Sequence, residues 1–256
     1  LYTRRHTGKG NEINPPLPDR NTLGVDLTLN TSTFLKNQNL QFQAFAIFHN
    51  PNTLNEINNS IWDRSARGIR INFPNDPWSG SLSYREFGNW YDPAVGFSRR
   101  NSFRRVEPRI RFSPLLEKSS VIRELQWEIS FENLMSLDWK RLTQNIRLTP
   151  LSIRFESGDE ISYQIIKNFE SLENDFNILG DNSIIIPTGD YSNWKHQIEF
   201  ETANHRKIVY EIELNAEGFW SGNRTEYENT LTLRPFSGMN LSLGYIHSNV
   251  KLNEGS

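Results

Sequence analysis

The strongest constraint on the fold is an alternation of apolar and polar residues that recurs along most of the chain. Successive side chains of a β-strand point to opposite faces, so a period of two marks a strand with one oily and one wet face. Leu23, Val25, Leu27 and Leu29 are separated by Gly24, Asp26 and Thr28. Ile69, Ile71 and Phe73 flank Arg70 and Asn72, and Trp78, Gly80, Leu82 and Tyr84 flank Ser79, Ser81 and Ser83. The rule returns in Leu125, Trp127, Ile129 and Phe131, and in Ile208, Tyr210, Ile212 and Leu214. Leu231 with Leu233, and Leu241, Leu243 and Tyr245, repeat it near the C-terminal end. A helical stripe is hard to find. Residues 52–67, with Leu54, Ile57 and Ile61, allow one short helix.

Turn-forming residues punctuate these runs. Asn75-Asp76-Pro77, Glu156-Ser157-Gly158-Asp159, Ser221-Gly222-Asn223 and Phe236-Ser237-Gly238 read as hairpin turns. Longer irregular stretches cover residues 10–20, 49–67 and 88–101. Short turns at one rim and long loops at the other are the habit of outer-membrane barrels. Residues 123–131, 195–202 and 207–216 approach the roughly 9–11 residues of a membrane-crossing strand, whereas strands of soluble domains centre on about 5–6. The rhythm predicts an all-β fold, an antiparallel up-and-down transmembrane β-barrel of about 13 strands that the chain need not complete. The chain opens on Leu1-Tyr2 without a Met and ends on Asn253-Glu254-Gly255-Ser256. It therefore reads as a single barrel domain over residues 1–256, truncated at both ends.

Composition narrows the function classes. Cysteine is absent, which removes disulfides, thiolate metal sites and cysteine nucleophiles. A net charge of -2 argues against a nucleic-acid partner. No apolar run reaches the roughly 18 residues of a transmembrane helix, but a barrel needs only alternate apolar residues. Aromatic residues make up 12%, with seven Trp, enough to supply girdles at two membrane interfaces. A soluble β-sandwich with an aromatic core fits the composition equally well.

The densest basic cluster is Arg99, Arg100, Arg104, Arg105, Arg109 and Arg111. At strand spacing Arg105, Glu107, Arg109 and Arg111 share one face, a row able to line a lumen and attract anions. The plainer reading is a solvated interior in which these arginines pair with carboxylates on neighbouring strands. Carboxylate pairs such as Glu211/Glu213 and Glu226/Glu228 do not by themselves place two acids across a sugar, as glycoside hydrolysis requires. The five histidines show no metal-ligand spacing, and neither a Gly-x-Ser-x-Gly elbow nor a phosphate loop occurs. The expectation is therefore no catalytic residue, no metal, no cofactor and no enzymatic activity.

Four local patterns carry a family likeness. One runs from Trp90 through Asp92, Pro93, Gly96, Phe97 and Arg99 to Arg100. The others are Ile186-Pro187-Thr188-Gly189-Asp190-Tyr191, Gly218-Phe219-Trp220-Ser221-Gly222-Asn223-Arg224, and Leu252-Asn253-Glu254-Gly255. Together they resemble a family of bacterial outer-membrane barrels, of unknown function, found C-terminal to a family 9-like carbohydrate-binding domain. The likeness spans nearly the whole chain, and the first pattern is its most specific part. Asn253 departs from it, standing where the family more often has Pro. The resemblance implies an outer-membrane location, a lipid bilayer as partner, and polysaccharide as a partner through an N-terminal domain that this chain lacks.

Physical chemistry gives the first pattern a meaning of its own. Pro93 fixes its φ and drives Asp92 to extended geometry, while Gly96 can turn the chain before Phe97 and Arg99. Asp92, Pro93, Gly96, Phe97 and Arg99 thus read either as a loop that folds into a lumen and narrows it, or as a structural corner. The leading functional expectation is passage or anchoring linked to carbohydrate binding or uptake. The alternatives are a soluble all-β carbohydrate-binding protein and a surface hydrolase acting on polysaccharide.

Overall fold

Extended backbone runs through nearly all of the alternating segments. The structure, a computed structural model, describes residues 2–5, 19–51, 58–94, 100–178, 180 and 184–254. Its strands are β1 (Tyr2–Arg5), β2 (Arg20–Phe34), β3 (Gln38–His49), β4 (Ser65–Pro74), β5 (Trp78–Phe87), β6 (Phe103–Phe112), β7 (Ile122–Ser136) and β8 (Arg141–Phe155). They continue as β9 (Glu160–Leu172), β10 (Phe176–Asn177), β11 (Ile185–Ile186), β12 (Gly189–Glu201), β13 (Ile208–Phe219), β14 (Gly222–Leu233) and β15 (Leu241–Lys251). All but β10 and β11 form one antiparallel up-and-down sheet of 13 strands, paired in chain order. β10 and β11 make a separate two-stranded ribbon inside the β9–β12 connection.

The count agrees with the rhythm of the sequence. Ring closure, the other half of that expectation, is not present: among the described residues the sheet ends at β1 on one side and β15 on the other. Of the short helix expected over residues 52–67, the described residue Asn58 is α-helical. Residues 52–57 lie outside the described residues, Ile61–Arg64 is a single 3-10 turn, and Ser65 to Arg67 already belong to β4.

The contacts divide the chain into two units. The first comprises Leu1–Pro74, Gly80–Pro108 and Asn133–Arg141. Within it β1 pairs only with the first residues of β2, from Arg5 opposite Arg20 to Tyr2 opposite Leu23. Register sets Leu27 of β2 opposite Ala44 of β3, and Ala44 opposite Ile69 of β4. One apolar face therefore runs across three strands. Its large side chains are exposed: Leu23, Val25, Leu27 and Leu29 on β2, and Ile69 and Ile71 on β4. What this unit buries is mixed, with Ala66, Tyr91 and Ala94 beside Arg20, Thr22, His49, Ser65 and Glu86.

The second unit comprises Asn75–Ser79, Arg109–Glu132 and Leu142–Ser256. Ile153, Ile161, Phe200 and Ile212 stand opposite one another across β8, β9, β12 and β13 and continue the same kind of oily face. Ile161, Trp194, Ile198, Ile208, Leu241, Leu243 and Tyr245 are exposed on it. β8 carries a register shift between Leu148 and Leu151, so its outward residues change parity at that point. The hairpin joining β13 to β14 turns at Trp220 and Ser221, one step earlier than the expected Ser221-Gly222-Asn223, and Gly222 and Asn223 belong to β14. Gly222 is needed there for space, since a Cβ on it would lie 1.9 Å from the Lys251 carbonyl oxygen.

Candidate functional site

The face opposite the exposed apolar rows carries the charge. On β6, Arg105, Glu107, Arg109 and Arg111 are each ion-paired. In the first unit Glu107 accepts from Arg105 at 2.8 Å and from Arg85, with the Ser83 hydroxyl donating at 3.3 Å. In the second unit Glu128 accepts from Arg109 at 2.7 Å and from Arg111 at 2.8 Å. In both clusters two guanidinium groups share one carboxylate. Such half-exposed pairs contribute about 0–1 kcal/mol apiece, so their weight lies in the field they set up rather than in stability.

The corresponding face of β12, β13 and β14 is acidic. Glu199 stands opposite Glu213, Glu213 opposite Glu228, and Glu201 opposite Glu211. Like charges directly opposite one another are destabilising in a sheet, so this is not an arrangement that packing alone selects. Lys195 relieves it only at 3.9 Å from Glu213, while the Asn215 amide donates to Glu213 at 2.7 Å. Among the described residues no group of three His, Cys, Asp or Glu side chains is arranged to hold a metal ion.

Of the Trp90–Arg100 pattern, Asp92 and Pro93 are described, whereas Gly96, Phe97 and Arg99 lie outside the described residues. The described part does not stand off as a free loop. Asp92 Oδ2 accepts from Arg5 and from Arg20, both at 3.0 Å, and Arg20 is 2% exposed. His49 meets the Trp90 carbonyl through Nε2 at 2.6 Å and faces the Arg20 guanidinium through Nδ1 at 2.9 Å. The Ala94 N–H donates to the Thr22 hydroxyl at 2.7 Å, and the Asn101 amide donates to the Tyr91 carbonyl at 2.6 Å. Tyr91 itself packs edge-on against Phe87. Residues Trp90 to Ala94 are thus a strap laid over the polar ends of β1, β2 and β3, held from several strands at once. Burial pushes the Asp92 carboxyl up, but the Arg5 and Arg20 guanidinium groups outweigh it and hold the acid below its ordinary range. Burial, followed by the Asp92 charge, raises the Tyr91 phenol.

A second connection braces the strap. Ser60 caps the 3-10 turn at Ile61–Arg64, with Asp63 returning the bond to the Ser60 N–H. The Gly88 N–H donates to the Ser65 carbonyl at 2.9 Å, and the Trp90 N–H to the Asp63 carbonyl at 2.8 Å. A Cβ on Gly88 would lie 2.2 Å from the Asp63 oxygen, so only glycine permits that approach.

Sequence reasoning missed two features. One is Glu86, 7% exposed, which accepts from Arg67 at 2.6 Å, from Arg104 at 3.2 Å and from the Tyr84 hydroxyl. Trp62 and Trp139 lie over those two guanidinium groups at 4.8 and 4.4 Å. Glu86 shares a strand face with exposed Leu82, so this knot sits at the end of the oily face. The other is a concavity of about 430 Å³ on the second unit, lined by residues of β8, β9, β12 and β13. Both depend on which residues face one another across strands, and a single strand's alternation does not carry that. No family model matches the chain, and neither a curated protein nor a solved structure does.

Proposed function

We propose that the chain forms the wall of a bacterial outer-membrane β-barrel, serving passage or anchoring linked to carbohydrate binding or uptake. One observation carries this reading: the residues of the apolar alternation are exposed, with Leu23 at 56%, Ile69 at 47% and Leu243 at 72%. Burying one such side chain is favourable by about 1.5–3 kcal/mol, so long rows of them left in water would be costly. A hydrocarbon surround removes that cost. A stacked sandwich would instead hide the same residues between two sheets.

Strand length and ring placement agree. β2, β7 and β8 each have 15 residues, and β9 and β12 have 13. That exceeds the roughly 9–11 residues needed to cross the hydrocarbon. Phe34, Phe73, Trp78 and Phe112 stand at or next to strand ends. Phe34 meets Phe73 at 6.3 Å in the first unit, and Trp78, Phe112 and Trp127 form a run in the second. Such rings suit the two membrane–water interfaces. The four family-like patterns add weight in the same direction, and so do the charged rows on the opposite face, which suit a wet lumen.

The test is refolding into detergent micelles followed by electrophoresis with and without boiling. The expected result is a compact, faster band for the unboiled sample and a strand-rich circular dichroism spectrum. A chain that stays monodisperse without detergent and shows no heat-dependent shift overturns the membrane reading.

A further inference from the structure

The concavity on the second unit has a built interior. Register across β8, β9 and β12 aligns Asn145, Asn168 and Asn193 in one rung. The Asn145 amide donates to Asn168 Oδ1 at 2.6 Å, and the Asn193 amide donates to the Trp220 carbonyl at 3.2 Å. A carboxamide offers two N–H donors and an oxygen with two lone pairs, so each of the three keeps capacity to spare. The next rung outward sets Thr143, Glu170 and Tyr191 side by side, and the next inward begins with Arg147. Glu170 and Arg147 line the concavity, and neither has a hydrogen-bond or ion-pair partner among the described residues.

Over this ladder stands an aromatic wall. Trp220 meets Tyr191 at 5.3 Å and Phe176 at 5.7 Å. It occupies the first position of a two-residue hairpin turn with φ 50°, a conformation in which Gly or Asn is at ease and a bulky ring is not. Holding a non-glycine residue there costs on the order of 1 kcal/mol, and strain of this kind collects at functional sites. The residue is thus placed where its ring, and not its backbone preference, is of use.

We infer that this concavity binds a neutral oligosaccharide. Sugar rings present polarised C–H groups that suit the negative face of an aromatic ring. Their adjacent hydroxyls each donate and accept, which matches a row of carboxamides spaced at the ~4.8 Å of neighbouring strands. The lining mixes Glu132, Glu170 and Glu217 with Arg147 and Arg224, and Glu217 is already paired with Arg224 at 2.5 Å. A polyanion finds no net positive field there. The site belongs to the second unit alone and does not depend on the membrane reading.

The experiment titrates the refolded full chain with maltohexaose, cellohexaose, hexagalacturonate and glucose, followed by tryptophan fluorescence and calorimetry. The heat-shift assay on the same sample reports the barrel, so failure of one idea is distinguishable from failure of the other. Expected is saturable binding of at least one glucose hexamer below about 1 mM, and at least about tenfold weaker binding of glucose. Asn168→Leu and Arg147→Ala should each weaken the hexamer by about tenfold. The Arg147 side chain is exposed and unpartnered, so R147A keeps the test alive if N168L does not fold. No saturation by either glucose hexamer, saturation by hexagalacturonate alone, or hexamer binding unchanged in R147A overturns the assignment.

Discussion

Asp92 is the residue on which the strap turns. Its carboxylate is the shared acceptor of Arg5 and Arg20, and Arg20 is almost fully buried. Asp92→Asn keeps the shape and removes the charge, leaving a buried guanidinium group less well matched. A loss of about 1–2 kcal/mol is expected, below the usual cost of breaking a buried pair because the carboxylate itself is half exposed. The acid is depressed in the folded chain, so its contribution is present above its unfolded value and lost as pH falls through the folded one. Urea unfolding in micelles should therefore separate wild type from D92N at neutral pH and merge them in acid; a constant gap across that range counts against the ion pair. Glycines give a second contrast. Gly88→Ala drives a Cβ into the Asp63 carbonyl and should cost about 1–3 kcal/mol in the same measurement. Gly244→Ala meets nothing within 4 Å and should stay within about 0.5 kcal/mol. Equal effects would deny the close packing described at Gly88.

At the scale of the strand, faces decide the outcome. Leu27 and Thr28 are adjacent and exposed on opposite sides of β2. If the Leu27 side meets lipid, Leu27→Arg should cost about 2–4 kcal/mol in phospholipid vesicles, and Thr28→Arg about 0.5 kcal/mol or less. Equal penalties would mean that both faces see the same solvent. How readily a strand shows in the sequence follows the same logic. β2, β4, β7 and β13 announce themselves because one face is oily and the other wet. β3 does not, since Phe45 and Ile47 lie on one face while Phe42, Ala44, Ala46 and Phe48 lie on the other. β8 hides because its irregularity after Leu148 shifts Ile146 and Leu148 out of step with Leu151 and Ile153. The Arg105–Arg111 row is legible because its members share one strand. Its partner Glu128, and the carboxamide rung at Asn168, are not, because they exist only after strands are paired.

In each unit the sheet carries exposed apolar rows on one face and charged rows on the opposite one, and the buried set of each unit is correspondingly small and mixed. That distribution explains why a polar average composition and long oily rows coexist in one sequence. If the proposed membrane reading holds, detergent is the decisive variable in handling the protein, as the heat-shift experiment exploits. Among the described residues the sheet holds an odd number of strands, 13. Neighbours alternate in direction, so the outermost pair, β1 and β15, point the same way. Strands that point the same way can pair only as a parallel ladder, with slanted and slightly weaker bonds. One additional strand, whatever its source, would run against both and restore the even parity customary in bacterial barrels.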